Sequence, residues 1–302
     1  MNTTGEEKEI TIVGAGRLGG ALALALARRG RRIARLIVRN REKAEPVAGA
    51  IDPPPEIVAA GSDYSISTPI VIIAAQDAAL DAVVADLKDK IGGRETIVYH
   101  TSGALSSAIL RPLAETGCST GSIHPLVSVS DFRAGAESFR DVYFCVEGDD
   151  AARAEAEKLI GALEGKSFSI AAADKTLYHA AAVTACGHFV ALIDAALEML
   201  AGCGLDEATG RAVLLPLVRS TVENLAAQTT AEALTGTFAR GDVGTFERHV
   251  EALGRTVSPQ ALAIYLELGE RSAKLARLSG AKRENTDEIV RQISLAKKKF
   301  RC

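Results

Sequence analysis

Three closely spaced glycines near the N-terminus limit what this chain can fold into. They lie in the stretch EITIVGAGRLGG, between an apolar β-rich run and a run rich in alanine and leucine. Gly14 permits a tight turn after the strand, Gly16 lets the backbone approach a pyrophosphate, and Gly19 lets the helix lie close to the strand. The N-terminus of that helix presents free N–H groups and a partial positive charge to phosphates. The spacing therefore predicts a dinucleotide-binding turn formed by Gly14, Gly16, Arg17, Leu18 and Gly19. The alternative is a glycine-rich turn that only packs against a sheet.

The first half of the chain alternates short β-rich runs with helical runs, which is the pattern of a parallel sheet covered by helices. After about residue 171 the β-rich runs stop and apolar residues keep helical spacing. We therefore expect an α/β fold, with a doubly wound, mostly parallel Rossmann sheet in residues 1–171 and an all-α domain in residues 172–302. The predicted strands are residues 9–14, 35–39, 70–75, 96–101, 120–125, 142–148 and 166–171, and the predicted helices between them include 19–29, 77–90 and 149–165.

The second half of the chain contains three recognisable helical segments. Residues 174–202 are apolar nearly all round, which predicts a long helix buried on most sides, against its own domain and a second subunit. A kinked helix is expected around Pro216. Ser258 is placed to cap a further helix that begins at Pro259 and stops at Gly280.

The composition is that of a soluble globular protein, with 47% hydrophobic and 24% charged residues. The net charge of −3 argues against a nucleic-acid or anionic-membrane partner. The five cysteines show neither a CxxC pair nor metal-ligand spacing, which favours a reducing compartment and no metal. The N-terminus is acidic and polar, unlike a targeting peptide, and the longest apolar stretches are interrupted by Asp, His or Arg within about 15 residues. We expect a cytoplasmic protein without a membrane span.

The stretch LIVRNREK decides which dinucleotide the predicted site prefers. In this type of fold the tip of the second strand faces the adenosine ribose, and an acidic residue there favours NAD. This chain has Arg39, Asn40 and Arg41 instead. Arginines pair with a 2′-phosphate through charge-assisted bonds, whereas a carboxylate repels it. We expect NADP as cofactor, with NADPH preferred over NADH; alternatively, the arginines only begin a solvated helix.

With these features assembled, the chain resembles the bacterial Rossmann-like oxidoreductases that carry the C-terminal domain of unknown function 2520. The resemblance implies an NADP-binding domain and a helical, dimerising domain, in a layout similar to ketopantoate and pyrroline-5-carboxylate reductases. Gly187 stands where the family pattern has Asn and Thr237 where it has Pro, and both departures bear on the substrate more than on the cofactor. The matching segments are VGAGRLGGALA, VYHTSGALSS, SIHPLVSVSDF, LYHAAAVTACGHFVALIDAA, LLPLVRSTVENL and ALTGTFARGDVGTFERHVEAL.

Two further strand ends are expected to border the cofactor. Open α/β sheets bind ligands beyond the carboxyl ends of their strands, and the predicted strands at 70–75 and 96–101 both end in polar residues. We expect these ends to lie beside the nicotinamide and its ribose; the alternative is that they are polar turns. The residues concerned are Ala75, Gln76, Asp77, His100, Thr101, Ser102 and Gly103.

Reduction of a carbonyl or imine needs a hydride from the cofactor and a proton for the developing anion. Lys175 and His179 lie four residues apart on a predicted helix and therefore share a face. Similarity to ketopantoate reductases implies a proton-donating lysine at this domain junction, although Lys175 in a solvated first turn is the alternative. His124 follows a strand end that should face the cleft. The candidate proton donors are Lys175, His124 and His179, with His100 also available.

Three polar residues of the second half are candidates for substrate binding. Ser220 and Asn224 form a pair on an otherwise apolar helix, and such a pair, if buried, needs a partner in the substrate or in a neighbouring helix. Arg240 can bind a substrate carboxylate, or pair with Asp242 or another subunit.

We therefore expect an NADP-dependent oxidoreductase that acts on a small carbonyl compound such as a 2-keto acid, in the interdomain cleft of a homodimer. The alternatives are an imine reductase of the pyrroline-5-carboxylate type and a non-catalytic protein that senses NADP(H).

Overall fold

The computed structural model describes residues 8–92 and 95–300. Within these residues, eight strands form one sheet, and every neighbouring pair is parallel except the sixth and seventh strands. The strands are β1 (Ile10–Val13), β2 (Ile33–Val38), β3 (Glu56–Ala59), β4 (Ile70–Ile73), β5 (Ile97–His100), β6 (Ser119–Pro125), β7 (Tyr143–Gly148) and β8 (Lys166–Phe168), in the order β3-β2-β1-β4-β5-β6-β7-β8. This arrangement confirms the predicted fold class.

The strand that the sequence did not indicate is β3, at one edge of the sheet. It has four residues, follows three consecutive prolines and pairs with β2 only. Three of its four residues are not buried, so the sequence offers no apolar run to recognise. Pairing with β2, and not its local sequence, makes this segment a strand.

Side chains on the central strands alternate between two separate cores because both faces of the sheet are covered. Ile70 and Ile72 of β4 pack into one core, and Val71 and Ile73 pack into the other. All four side chains are buried. A strand buried on both faces is read as a continuous apolar run, which is why β1, β4 and β5 are conspicuous in the sequence.

Helices before residue 187 flank the sheet, and those after it form a separate helical unit. The first group is α1 (Arg17–Arg28), α2 (Arg41–Ala48), α3 (Leu80–Leu87), α4 (Arg111–Ala114), α5 (Phe132–Ala136), α6 (Asp150–Ala162) and α7 (Lys175–Ala185). The second group is α8 (Gly187–Ala201), α9 (Glu207–Ala227), α10 (Gly236–Ala239), α11 (Val243–Thr256), α12 (Pro259–Leu278) and α13 (Arg283–Phe300).

The chain divides into two compact units between Cys186 and Gly187. The domain boundary was expected fifteen residues earlier, between residues 171 and 172. The later division gives α7 to the first unit, together with the sheet. The candidate residues on α7 therefore belong to the same unit as the predicted cofactor turn.

The expectation of a single helix over residues 174–202 is wrong, whereas its burial against a second subunit stays a prediction. The helical path breaks at Cys186, which separates α7 from α8, and most of its apolar side chains are exposed, with Leu177 at 75% and Val190 at 67%. One segment, Ala172–Ala201, has the length and mean hydropathy (1.7) of a membrane span, and 6% of its apolar 18-residue window is buried.

In the second unit, α11, α12 and α13 enclose a small apolar core. Phe246, Leu266 and Ile289 are fully buried in it. The helix that was predicted to begin at Pro259 does so, because the Ser258 side chain accepts a hydrogen bond from the Ala261 N–H. It ends before Gly280, whose φ of 95° suits glycine.

The turn between β1 and α1 requires Gly19 on packing grounds. A Cβ at this position would overlap the Gly14 carbonyl oxygen and lie 2.8 Å from the Ala74 Cβ. We expect Gly19→Ala to lower the free energy of unfolding by roughly 1–3 kcal/mol, which is the usual cost of overpacking. Urea unfolding followed by circular dichroism measures this change.

Gly161→Ala is the matched control for Gly19→Ala. Gly161 lies in α6, and apart from its chain neighbours and the nearby backbone of its own helix no described atom is within 4 Å of the position its Cβ would take. This substitution should be neutral or stabilising by up to about 1 kcal/mol, because alanine favours a helix. Equal effects of the two substitutions would contradict the packing role of Gly19.

Candidate functional site

The strand order reverses at β1, which lies between β2 and β4, so a crevice is expected at the carboxyl ends of these strands. Gly14 follows β1 with a φ of 96° and donates its N–H to the Ile37 carbonyl oxygen at 2.9 Å. Its conformation and the close approach of Gly19 meet two of the three requirements that were predicted for the turn. Arg17 and Leu18 begin α1 at this point.

Gly16 leaves open space at the N-terminus of α1. It occupies the position before the helix, where no side chain caps the free N–H groups, and the first turn contains no acidic residue. Apart from its two chain neighbours, no described atom lies within 4 Å of the position its Cβ would take, and Gly16 itself is exposed. Backbone donors without a capping group, beside open space, are what a phosphate needs at a helix N-terminus.

At the end of β2, the three polar residues differ in what they contact. The Asn40 side chain caps α2 by accepting the Lys43 N–H at 3.0 Å. Arg41 lies 3.7 Å from the Glu45 carboxylate and donates to the Ile57 carbonyl oxygen. Arg39 is exposed and has no side-chain hydrogen bond or ion pair with the described residues. The solvated-helix alternative therefore describes Arg41, whereas Arg39 is available to a ligand.

The end of β4 exposes its polar residues to solvent. Ala75 is half-buried, and Gln76 and Asp77 are exposed at the start of a short helical turn. They lie at the carboxyl edge of the strand next to β1, as predicted.

The end of β5 turns its polar residues inwards instead. His100 is fully buried, its Nδ1 accepts the Ser102 N–H at 3.1 Å, and its Nε2 has no partner among the described residues. The Ser102 hydroxyl accepts the N–H groups of Ala104 and Leu105, and Thr101 is also buried. These three side chains hold the loop that follows β5.

Burial lowers the pKa of His100 to about 4, with the positive charge of Lys175 as a second cause. The imidazole is therefore neutral at pH 7. Because His100 is buried and neutral, and one of its nitrogens already accepts a hydrogen bond from the protein, its role is primarily structural.

Lys175, at the start of α7, is buried with 1% exposure. Its ammonium group donates to the Ser102 carbonyl oxygen at 2.9 Å and to the Ser122 hydroxyl. It also lies 4.0 Å from the Glu147 carboxylate, which accepts two hydrogen bonds from Ser107. Burial lowers the pKa of Lys175, and the Glu147 carboxylate partly offsets this effect. The alternative of a solvated first-turn lysine is wrong.

One turn after Lys175, two side chains of α7 approach His124. The Tyr178 hydroxyl lies 2.7 Å from the His124 Nδ1, and the His179 ring packs edge-on against the His124 ring with their centroids 5.5 Å apart. The His179 Nδ1 is buried and has no partner among the described residues. A Cβ on Gly103 would lie 2.8 Å from the His124 Nε2 and nearer still to the His179 Nδ1. A side chain at position 103 would therefore require these rings to shift.

Burial also lowers the pKa of His124 to about 4, and the neighbouring His179 and Lys175 lower it further. The ring is neutral at pH 7 and is half-buried. A neutral imidazole whose second nitrogen is free can donate or accept one hydrogen bond, according to its tautomer.

The structure thus brings together two of the three candidate proton donors, His124 and His179, and gives the third, Lys175, partners inside the protein. Tyr178, Ser122 and Glu147 were not identified from the sequence. Strand alternation places Ser122 on the same face of β6 as His124, and Glu147 is the register partner of Ser122 on β7. That pattern of inward polar residues at two strand ends was the available signal.

The substrate residues predicted in the second half lie in the second unit, where the pair of Ser220 and Asn224 is not fully buried. Ser220 is exposed and donates to the Leu217 carbonyl oxygen of its own helix, α9, and Asn224 is half-buried. Arg240 is exposed at the end of α10. No group of three or more potential metal ligands occurs among the described residues.

Two family models match the chain, one in each half. Residues 4–125 match a Rossmann-like domain, and residues 142–272 match the domain of unknown function 2520. No curated protein matches the chain in sequence.

Several solved structures share the fold at low sequence identity. A protein from Thermotoga maritima is 24% identical, with a TM-score of 0.74 over 89% of this chain and 99% of its own. A protein from Bacteroides fragilis assigned as an NADP oxidoreductase is 21% identical, with a TM-score of 0.73 and the same coverage. The pyrroline carboxylate reductase of Plasmodium falciparum, solved with NADP bound, is 13% identical, with a TM-score of 0.59 over 90% of this chain and 99% of its own.

The glycine turn, the sheet order and the two matched segments lead to one assignment: the chain belongs with the proteins that combine a Rossmann-like domain with the domain of unknown function 2520.

Proposed function

We propose that the protein is a cytoplasmic, NADP-dependent oxidoreductase that acts on a small carbonyl or imine compound. The observation that carries this proposal is that one edge of one sheet holds both an uncapped, open glycine turn and a cluster of histidines. The first feature suits a dinucleotide, and the second suits hydrogen bonding to a reacting group. The names of the similar solved structures support the same reaction class.

The cofactor proposal rests on Gly16 and Arg39. The open space beside Gly16 fits the pyrophosphate, and the unpaired guanidinium of Arg39 at the end of β2 fits a 2′-phosphate. Gly14 and Gly19 fix the shape of the turn that contains Gly16. Ala75, Gln76 and Asp77 lie at the end of the neighbouring strand, β4. Nicotinamide, when bound, supplies the hydride.

Calorimetric titration of NADPH and NADH into the wild type, Gly16→Ala and Arg39→Ala tests the cofactor site. We expect NADPH to bind at least tenfold more tightly than NADH, because hydrogen bonds to a charged group contribute roughly 1.5–3 kcal/mol. Arg39→Ala should remove that preference and leave NADH binding unchanged. Gly16→Ala should weaken both dinucleotides, because its methyl group would occupy the space of the pyrophosphate.

Arg41→Ala serves as the control for Arg39→Ala, since Arg41 contacts Glu45 and the Ile57 carbonyl oxygen. Arg41→Ala should change the ratio of the NADPH and NADH affinities by less than about threefold, because an exposed ion pair contributes little free energy. Equal affinity of the wild type for NADPH and NADH would disprove the preference, and absence of binding of either would disprove the oxidoreductase proposal.

We assign substrate binding to the cluster around His124. A carbonyl that accepts hydride gains negative charge on oxygen, and the oxygen takes up one proton. The neutral His124 can donate a hydrogen bond to that oxygen through its Nε2, and the oxygen takes the proton that completes the hydroxyl group from water. Neutral imidazole is suited to this role because it polarises a carbonyl without carrying a fixed charge.

The same cluster favours a carbonyl over an imine. An iminium is already positive, and its reduction is helped by a nearby carboxylate. Glu147, the carboxylate nearest to Lys175, is engaged by Ser107 and by that lysine. We therefore propose 2-keto acids as the first substrate class to test and cyclic imines as the second. Tight NADPH binding without turnover of either class would favour the cofactor-sensing alternative.

Lys175 is proposed to position α7 rather than to donate the proton. We expect Lys175→Met to lower the free energy of unfolding by about 3 kcal/mol, because it leaves the Glu147 carboxylate buried without its cation. Urea unfolding gives the size of this change.

Lys158→Met is the control for this substitution. The Lys158 side chain pairs with Glu155 at 3.2 Å but is 66% exposed, so its loss should cost at most about 1 kcal/mol. If Lys175→Met keeps wild-type stability and NADPH binding but loses turnover, Lys175 is the proton donor and the positioning role is wrong.

We further propose that a second copy of the chain covers the apolar face formed by α8 and α9. Val190 of α8 and Leu217 of α9 are 67% and 63% exposed, and both helices present further apolar side chains to solvent. Charged residues such as Arg219 and Glu223 interrupt the apolar surface of α9, which disfavours burial of this face in lipid and favours a protein interface with a hydrated rim.

Light scattering coupled to gel filtration should give twice the mass of one chain at micromolar concentration. Val190→Lys should shift the protein to the monomer mass, because it places a charge in the proposed interface. Leu278→Lys, which changes a 71% exposed leucine at the end of α12, should leave the dimer intact. A monomer for the wild type would overturn the proposal.

A further inference from the structure

Tyr178 makes the one polar contact to the His124 ring that the described residues provide. Its hydroxyl lies 2.7 Å from the His124 Nδ1, and the two rings meet edge-on with centroids 5.6 Å apart. Tyr178 is half-buried and follows Lys175 by one helical turn. The anchored start of α7 therefore fixes where the hydroxyl lies.

The direction of this hydrogen bond follows from what else each atom can bind. The Tyr178 hydroxyl has one proton, and burial raises its pKa, so the proton stays on oxygen. The second acceptor beside it is the thiol of the buried Cys145, the register partner of His124 on β7. An imidazole nitrogen is a much stronger acceptor than a thiol sulfur. The hydroxyl therefore donates to Nδ1, and the ring proton of a neutral His124 must lie on Nε2.

We propose that Tyr178 is a positioning residue that holds His124 in the tautomer with its proton on Nε2, so that this nitrogen is the hydrogen-bond donor to the substrate. The catalytic role of this tautomer rests on the proposed function, but the tautomer itself is a property of the protein alone. It adds to the site a residue that does not touch the reacting atoms. The His124 Nε2 makes no hydrogen bond with the described residues and is free to act.

The surroundings of the ring keep it neutral, as a tautomer requires. Burial comes first in lowering the pKa of His124; the charges of His179 and Lys175 on α7 and of His100 on β5 lower it further, and the carboxylate of Asp77 opposes them. Gly103 completes the arrangement from the loop after β5, because any side chain there would displace both the His124 and His179 rings. The geometry thus leaves the ring little freedom to flip.

Nitrogen-15 spectra of histidine-labelled protein read the tautomer directly, without substrate or cofactor. In the wild type at pH 7, His124 should show a protonated Nε2 and an unprotonated Nδ1. In Tyr178→Phe the ring should become a mixture of both tautomers. A wild-type His124 with its proton on Nδ1, or a variant with an unchanged tautomer, would overturn the inference.

Tyr143→Phe is the matched control, because Tyr143 and Tyr178 both pack against the same ring, Phe168. Tyr143 is 51% exposed, and its hydroxyl has no hydrogen bond with the described residues. Tyr143→Phe should leave the His124 tautomer unchanged. If it alters the tautomer as much as Tyr178→Phe does, the effect is one of ring packing and the inference fails.

Kinetics then connect the tautomer to the reaction. Once a substrate is found, Tyr178→Phe should lower kcat about tenfold, the usual effect of losing one hydrogen bond between neutral groups, with NADPH affinity unchanged. In a His124→Gln background the same substitution should have no further effect, because it acts through His124.

The spectra and the kinetics separate the two proposals. Absence of turnover with the expected spectra contradicts the proposed function only, and unchanged spectra contradict the role of Tyr178.

Discussion

The arrangement of the candidate site depends on the burial of one ammonium group, that of Lys175. A charge with 1% exposure is costly unless several acceptors surround it, and here the Ser102 carbonyl, the Ser122 hydroxyl and the Glu147 carboxylate do so. Those acceptors come from the loop after β5 and from the neighbouring strands β6 and β7. Because Lys175 is the first residue of α7, this contact fixes both the position and the rotation of the helix. Tyr178 and His179, which follow one turn later, reach His124 for that reason.

The parts of the fold that were predictable are those in which local sequence and tertiary packing agree. The runs of β1, β4 and β5 are apolar because both faces of the sheet are covered, and Ser258 and Gly280 mark the ends of α12 through chemistry local to the chain. The edge strand β3 escaped notice because its order comes from pairing with β2. The segment 174–202 was hard to predict for the opposite reason. Its apolar composition does not show whether the surface that covers it belongs to the same chain or to another.

The candidate site divides in the same way. His124 and His179 were identified because imidazole at a strand end or helix start is rare enough to notice. The environment of Lys175 was not predictable, because its two hydrogen-bond partners lie 53 and 73 residues away in the chain. Tyr178 lacks a sequence signal of its own: a tyrosine on an apolar helix most often packs, and only the position of His124 gives its hydroxyl a function. Arg39 and Arg41 look equivalent in sequence, and only the contacts of Arg41 with Glu45 and Ile57 separate them.

The electrostatics of the cluster also limit which reaction it can support. His100 and His124 are neutral because burial and the neighbouring Lys175 both oppose a second positive charge, and the charge of Lys175 is itself matched by Glu147. The edge of the sheet therefore offers oriented dipoles and little net charge. Oriented dipoles stabilise an oxygen that becomes negative during hydride transfer, and they do so without reorganisation. A substrate that is already positive would gain much less from them. The buried lysine that orders the helix thus also sets the polarity of the site, and on this ground we propose a carbonyl oxygen rather than an iminium nitrogen as the group that it binds.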